Sequence, residues 1–188
     1  MSVRSALLAI LTIGPAYGLQ LHGELASRTA GRRSVNAGQI YGTLERLIRQ
    51  DAVESAGATP DGLPLYRLTR SGREEALDWL HGTDSSPGDE WSDLVDRVLI
   101  ASSLPAVDAL AVVNAYREHW KAVGACDARV TTGQDLLASH AGRFLANAAL
   151  AWLGEVEAHL AHDEDDALSR AFSTDKPRRG RRPALPAA

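Results

Sequence analysis

The chain has 188 residues, of which 45% are hydrophobic and 5% aromatic, and its net charge is −4. This length suffices for one domain or two small ones with cores of their own. The one cysteine, Cys126, excludes an internal disulfide and a cysteine metal cage, and the apolar start of the chain is too short to span a bilayer. The abundance of helix-forming residues indicates a mostly α-helical protein, which we expect in the cytoplasm.

The charges are unevenly distributed along the chain. Residues 1–80 hold 9 basic and 8 acidic side chains, residues 81–174 hold 6 and 15, and residues 175–188 hold 5 and 1. DNA repels an acidic surface, so any contact with a polyanion is expected at the two ends of the chain.

The first 80 residues follow the order of a winged helix-turn-helix. Apolar periodicity predicts helices over residues 2–13, 19–28 and 36–50, the third capped by Asn36. Two short strands, residues 52–55 and 65–68, flank a segment rich in turn residues and form the predicted wing. Thr69 then caps a closing helix over residues 70–80.

The rest of the chain is predicted to be helical. Residues 82–90 are a predicted linker, and three helices follow it, over residues 91–103, 105–140 and 142–168. Pro105 suits the first position of the second helix, and this helix is expected to break near Gly124 or residues 131–133 if it breaks at all. Such amphipathic helices do not close a core alone, which favours pairing with a second copy. The predicted domains are therefore residues 1–81 for DNA binding, 91–168 for dimerisation, and a basic, proline-rich, disordered tail over 169–188.

Three blocks carry a resemblance to a known family: residues 14–18 (GPAYG), 38–47 (GQIYGTLERL) and 66–72 (YRLTRSG). In this order and at this spacing they resemble the PadR family of transcription regulators. Residues 143–157 more loosely resemble the C-terminal dimerisation domain of its longer, virulence-activator-type members. The resemblance implies a homodimeric regulator, usually a repressor, that a small molecule bound near the dimer interface releases from DNA.

The third helix is the predicted DNA-reading element. Steps of about 100° per residue gather Ile40, Leu44, Leu47 and Ile48 on one buried face. A helix in the major groove reads bases with its N-terminal residues. Of the residues on this helix, Gln39 suits an adenine, Arg46 a guanine or a phosphate, and Thr43 a thymine methyl. The predicted DNA-binding residues, including neighbours suited to phosphate contacts, are Gly38, Gln39, Tyr41, Gly42, Thr43, Arg46, Arg49, Arg33 with its neighbour Arg32, Ser34 and Arg67.

Several of these residues have a second interpretation. Gly38 and Gly42 either let the backbone approach the groove or ease packing against another protein helix. Tyr41 contacts either a phosphate or a backbone carbonyl in the core, and residues 32–34 form either a phosphate contact or a solvated turn. The wing tip, residues 58–64, carries no basic residue, unlike many family wings, which predicts a weak contribution to phosphate binding.

The C-terminal region offers candidates for an effector site. Tyr116, Trp120, Phe144 and Trp152 lie on the predicted helices and either line a pocket for a flat apolar molecule, oriented by Arg117 and His119, or simply pack the dimer seam. His159, His162 and Asp163 have the i, i+3, i+4 spacing of metal ligands, but a polar helix end is the favoured interpretation. We expect no cofactor and no enzyme activity, since no nucleophile elbow or phosphate loop occurs.

The sequence thus predicts a homodimeric repressor of a pseudo-palindromic operator. Two alternatives stay open. One is a winged-helix module that binds a protein and no DNA, and the other is a transcription activator with the same DNA contacts.

Overall fold

The computed structural model describes residues 2–85, 88–125, 133–162 and 168–174. Over these residues the elements are α1 Val3–Ile10, β1 Ala16–Tyr17, α2 Gly18–Arg28, α3 Ala37–Arg49, β2 Val53–Ala58, β3 Pro64–Leu68, α4 Arg70–His81, α5 Glu90–Ser102, α6 Ala109–Ala125 and α7 Gly133–His162. The predicted fold class, a winged helix-turn-helix followed by a helical region, is confirmed.

Side-chain caps define the starts of α3 and α4. Asn36 accepts a 2.8 Å hydrogen bond from the Gln39 N–H, and Thr69 accepts one of 3.1 Å from the Gly72 N–H. Each cap satisfies a backbone donor that the helix itself leaves unpaired. These short polar side chains therefore begin both helices where the sequence pattern predicts them.

The wing belongs to a three-stranded antiparallel sheet in the order β1-β3-β2. Its third strand, β1, is not predicted by the sequence because two residues carry no alternating pattern. Ala16 pairs with Tyr66, and Val53 pairs with Leu68. β2 also extends to Ala58, beyond its predicted end at residue 55, through an irregular register after Ser55.

One buried apolar cluster runs from α1 to α7. Leu21 and Leu25 of α2 face it as predicted, and Leu94 and Val98 of α5 extend it. The prediction of a buried Ile48 was wrong, because its side chain is 43% exposed. The buried side of α3 is rotated toward Thr43, which is only 2% exposed.

The helices after the wing differ from their predicted bounds. α6 begins at Ala109 rather than at Pro105, after Asp108 accepts a 3.0 Å hydrogen bond from the Ala111 N–H. The break predicted near Gly124 or residues 131–133 agrees with the end of α6 at Ala125 and the start of α7 at Gly133. The helix boundary predicted at residues 140–142 is wrong, because α7 runs through these residues without interruption. α7 has 30 residues, about 45 Å of helix, and packs on α6 through Ala146, Ala149 and Leu153.

Some predicted features lie outside the described residues, namely Cys126, Asp163 and the tail from residue 175. Within the described part of the chain, no helix combines the length and apolar character that crossing a membrane requires. The same part holds no cluster of three metal-ligating side chains.

Candidate nucleic-acid interface

The face of α3 opposite the core is open to solvent. Gly38, Gln39, Arg46 and Arg49 are exposed there, and Gly42 is half-buried. They share this face because the helix turns about 100° per residue, which sets them opposite the buried apolar residues of the same helix. The structure therefore brings five of the predicted DNA-binding residues onto one surface, which we call the reading face.

Thr43 lies beneath the reading face rather than on it. Its hydroxyl donates a 2.7 Å hydrogen bond to the Gln39 carbonyl and accepts one of 3.1 Å from Arg46 Nη2. The sequence pattern predicts that Thr43 contacts a thymine methyl. The structure does not place it for this contact, because its side chain is buried and both of its hydrogen bonds are internal. It instead holds the Arg46 guanidinium at the edge of the reading face.

The two glycines of α3 are not demanded by packing within the chain. A Cβ at Gly42 would meet no atom within 4 Å, and one at Gly38 would lie 3.3 Å from Asn36 Oδ1. A glycine inside a helix costs roughly 0.5–1 kcal/mol relative to alanine. Gly42 therefore weakens α3 without an internal packing reason, which leaves a smooth surface for an external partner.

Tyr41 lies at the junction of the three sequence blocks. A Cβ at Gly18 would be only 2.4 Å from Tyr41 Cε1, so only glycine lets the ring lie across the start of α2. Tyr66 of β3 is close enough for Tyr41 and Glu45 to add to the effect of burial, which raises the Tyr66 pKa. Tyr41 itself is 39% exposed, so it is not a core tyrosine.

The arginines before α3 are paired with the C-terminal region. Arg32 Nε and Arg33 Nε lie 2.9 and 2.6 Å from the two carboxylate oxygens of Asp96 on α5. The Asp96 side chain is fully buried, whereas both arginines remain about one-third exposed. The predicted phosphate contact at Arg33 is thus already part of an ion pair, and Ser34 beside it is exposed.

The wing adds little positive charge of its own. Arg67 Nε lies 2.7 Å from Glu54 Oε1 on the neighbouring strand, which neutralises the predicted phosphate ligand. Arg70 pairs in the same way with Glu74 at 3.0 Å. Reading-face arginines therefore supply more unneutralised charge than the wing does.

A buried ion pair on α2 is not predicted by any pattern in the sequence. Glu24 and Arg28, 2.7 Å apart, are i, i+4 residues that resemble an ordinary surface pair, yet both side chains are buried. They are covered by residues 168–174, which fold back from the end of the described chain. We call residues 168–174 the strap.

The four aromatic residues predicted for an effector site do not line one pocket. Tyr116 and Trp120 are buried side by side on α6, and Trp152 packs edge-on against Trp91 at 5.8 Å. Phe144 on α7 is 76% exposed. The two residues predicted to orient a ligand have partners of their own, since His119 packs edge-on against Trp120 and Arg117 pairs with Glu157.

A different cavity lies between the winged helix and α5. It has a volume of about 450 Å³ and is lined by Ser2, Ser5, Trp79, Asp84, Ser85, Asp89, Asp93 and Arg97. The Arg97 guanidinium lies 4.9 Å from the Trp79 ring centre and 5.6 Å from that of Tyr116. Burial lowers the Arg97 pKa and raises the Tyr116 pKa to about 12.

The N-terminal part of the chain is similar to a known protein family. Residues 7–78 match the model of the transcriptional regulator PadR-like family. No protein of curated function matches the chain. The match ends within α4, so the virulence-activator-type assignment of the later helices stays a prediction.

Several solved structures are similar to the chain at low identity. PadR of Bacillus subtilis in complex with operator DNA shares 18% identity over 83% of this chain and 96% of that one, with a TM-score of 0.41. The same regulator with p-coumaric acid shares 20% over 85% and 99%, with a TM-score of 0.39. A PadR-like transcriptional regulator of Bacillus cereus shares 15% over 87% and 100%, with a TM-score of 0.37.

Proposed function

We propose that this chain is a dimeric, sequence-specific DNA-binding repressor of the PadR type, released by a small molecule, since residues 7–78 match the model of the transcriptional regulator PadR-like family. The observation that carries the proposal is the reading face of α3. It combines exposed Gln39, Arg46 and Arg49 with a glycine surface that nothing inside the chain requires. A helix of this kind fits the major groove, where such side chains distinguish base pairs.

The residues of the reading face take separate roles in this proposal. Gln39, in the first turn of α3, contacts an adenine, and Arg46, held by Thr43, contacts a guanine. Arg49 and the hydroxyl of Tyr41 contact phosphates, which orient the helix without reading sequence.

The residues outside α3 have smaller roles. Arg33 and Ser34 extend the phosphate contacts at the turn before the reading helix. Arg67 contributes weakly, because Glu54 already neutralises it.

Substitution of Arg46 tests the base-reading role. Arg46→Ala is expected to weaken operator binding by about 1–3 kcal/mol, or about 5- to 150-fold, and to relax specificity at one position. The measurement is a gel-shift titration on DNA selected from a genomic fragment pool. Lys121→Ala removes an equal charge from α6, outside the reading face, and is the matched control. Equal affinities of wild type and Arg46→Ala would exclude this role.

We propose that the dimer forms along α7, as in a C-terminal domain of the virulence-activator type. Leu137 and Phe144 lie seven residues apart on α7 and are 67% and 76% exposed. Ala141, between them, and Ala148, four residues after Phe144, are exposed as well. This spacing of three and four residues forms one apolar stripe, the pattern of a helix that packs against another helix. A lone chain would leave this stripe in water.

A charge placed within the stripe tests the dimer. Phe144→Asp is expected to convert a dimer into a monomer in light scattering and to weaken binding to a two-half-site operator. Asn114→Asp, at an exposed position of α6, adds the same charge and serves as the control. A dimer that persists in Phe144→Asp at low micromolar concentration would contradict the proposed seam.

The cavity between α1, α4 and α5 is the site we propose for the effector, in place of the four predicted aromatic residues. It is lined by the flat ring of Trp79 and by Arg97. The Nε of Arg97 is buried and has no hydrogen-bond partner among the described residues. A thermal-shift screen of small aromatic compounds tests it. Trp79→Leu should abolish the shift of any hit that also releases DNA, and an unchanged shift would place the effector elsewhere.

A protein-binding module without DNA contact is the second candidate. The ion pairs of Arg32, Arg33 and Arg67 favour it, because they lower the positive charge available to phosphates. Absent or salt-insensitive binding across the genomic fragment pool would support this candidate over the repressor. An activator would bind like the repressor and raise, rather than lower, the output of a reporter gene.

A further inference from the structure

The strap is fastened to α2 by hydrogen bonds to buried charged groups. Arg28 Nη2 donates hydrogen bonds of 2.9 Å to the carbonyls of both Arg170 and Ala171. Glu24 Oε1 accepts one of 2.6 Å from the Ser173 N–H. Because a buried charge without partners is costly, the strap both covers Glu24 and Arg28 and supplies the partners that they need.

The same strap is bound to the end of α5. The Arg170 N–H donates a 3.2 Å hydrogen bond to the Ser103 carbonyl, and Arg28 Nη1 donates one of 3.0 Å to the Ser103 hydroxyl. At its first residue, Leu168, the strap borders a cavity of about 220 Å³ that Leu160 of α7 also lines. The strap therefore connects α2 with the helices of the C-terminal region.

The helix that the strap holds is the one that positions the reading helix. His22 Nε2 on α2 donates a 2.6 Å hydrogen bond to the carbonyl of Val35, the residue before the cap of α3. At the start of α2, Gly18 lies against the Tyr41 ring of α3. Because closely packed elements transmit a displacement rather than absorb it, a movement of α2 shifts α3 with it.

The contacts of the strap are of a kind that water can replace. Its largest apolar side chain, Phe172, is only half-buried, and Leu168 is 45% exposed. A hydrogen bond contributes little net free energy when water offers the same partners, and an open strap leaves Glu24 and Arg28 to water. Closing the strap also costs the conformational entropy of its seven residues. We therefore expect the strap to open while the rest of the chain stays folded.

We infer that the strap opens and closes on α2, and that only the closed strap fixes the reading helix against the C-terminal helices for tight operator binding. This inference rests on the proposed DNA-binding function. With the strap open, the winged helix keeps its ties to α5 through Asp96 and the apolar cluster, but α2 gains freedom. The two half-sites of an operator lie at a fixed spacing, so reading helices that are less well fixed must be ordered on binding, which lowers affinity.

Two substitutions that open the strap without changing its charge test the effect on DNA binding. In the full chain, Phe172→Ser removes the ring and Ser173→Pro removes the N–H that Glu24 accepts. Operator affinity of this double variant in gel-shift titrations should fall about tenfold, a coupling of the size usual between linked sites. The slope of log K against log salt should stay the same, because no phosphate contact is lost. Ser173→Ala keeps the ring and the N–H and is the matched control.

Hydrogen exchange measured by mass spectrometry tests whether the strap opens locally. In the double variant, residues 168–174 and α2 should exchange faster than in Ser173→Ala, while α1 and α4 keep their protection. In the unmodified chain, operator DNA should slow the exchange of the strap about tenfold, because the coupling between strap closure and DNA binding is reciprocal.

The outcomes separate the role of the strap from the proposed function. Equal operator affinities of the double variant and Ser173→Ala would overturn the role of the strap and leave the repressor proposal intact, as would strap exchange that operator DNA does not slow. Equally faster exchange in α1 and α4 would show that the strap belongs to the global fold, and a changed salt slope would show that it contacts DNA directly. Either result would also overturn the inferred opening. Absence of operator binding by the unmodified chain would instead overturn the repressor proposal, and with it this role of the strap.

Discussion

At the scale of single residues, some glycines of this chain are required by a close neighbouring atom and others are not. Gly18 gives space to the Tyr41 ring, whereas a side chain at Gly42 would enter empty space. The sequence offers two explanations for the pair on α3, close approach to DNA or packing against another protein helix. The empty space around Gly42 excludes packing against another helix of the same chain. Close approach to DNA, or to a helix of another molecule, remains.

Gly42→Ala is expected to stabilise the fold while weakening DNA binding. Alanine favours the helix by roughly 0.5–1 kcal/mol, and its methyl group separates α3 from the groove, lowering operator affinity about tenfold, or about 1.4 kcal/mol. Urea unfolding and gel shifts measure the two effects. Gly154→Ala, at another open helical position, should stabilise the chain without changing affinity; equal affinity of both variants to wild type would refute close approach at Gly42.

Tyr116 predicts a pH dependence of stability. Its hydroxyl is buried without a hydrogen-bond partner among the described residues, and its pKa is raised from 10.0 to about 12 by burial. The unfolded chain therefore loses this proton first, so the stability due to Tyr116 is complete below pH 10 and disappears as the pH rises to 12, on the order of 2–3 kcal/mol.

Tyr116→Phe removes that titration and the unpaired hydroxyl. Its free energy of unfolding should exceed that of wild type by about 1 kcal/mol at pH 8, and the difference should widen above pH 10. Urea titrations at pH 8, 10 and 11 measure it. A constant difference across these values would show that the tyrosine ionises equally in both states.

At the scale of secondary-structure elements, caps and packing surfaces differ in how well the sequence predicts them. Asn36 and Thr69 can be recognised from sequence, because a cap acts within three residues. The strand β1 cannot, because only its pairing with β3 makes it a strand. Likewise, the apolar pattern predicts a buried Ile48, but this residue is exposed. Thr43 is buried instead, because its hydroxyl donates a hydrogen bond to a backbone carbonyl of the same helix.

The start of α4 lies against the backbone of Ala52, just before β2, and allows no side chain at Gly72. A Cβ there would lie 1.8 Å from the Ala52 carbonyl oxygen, a backbone atom that cannot move aside. Gly72→Ala should therefore destabilise the fold by about 1–3 kcal/mol or more, measured by urea unfolding. Gly154→Ala is again the control and should shift stability in the opposite direction. Wild-type stability in Gly72→Ala would mean that α4 and the Ala52 carbonyl are not this close.

At the scale of the complete chain, α5 connects the C-terminal region to the DNA-binding half. Asp96 binds the turn before α3, and the adjacent Arg97 donates hydrogen bonds to the carbonyls of Gly82 and Asp84 before α5. Other side chains of α5 enter the same apolar cluster as α1. A displacement of α5 would thus move the turn that precedes the reading helix α3.

Asp96→Asn tests this connection. Loss of the carboxylate frees Arg32 and Arg33 for phosphates, so non-specific DNA affinity should rise and the salt slope should steepen by up to about 2. Stability should fall by about 1.5–3 kcal/mol with the loss of charged hydrogen bonds. Asp135→Asn, an exposed site on α7, makes the same charge change as a control. An unchanged slope, or an equal change in Asp135→Asn, would contradict the connection.

The order of the elements, the caps of α3 and α4 and most of the reading face follow directly from the residue pattern. These features depend on periodicity and on hydrogen bonds within a few residues, so each segment carries them on its own. The pairing of Asp96 with the two arginines before α3, and of Arg28 with the strap, follows from no such pattern. Those partners are separated by more than 60 residues, and a charged side chain becomes a buried anchor only when folding brings its partner to it and removes the water from both.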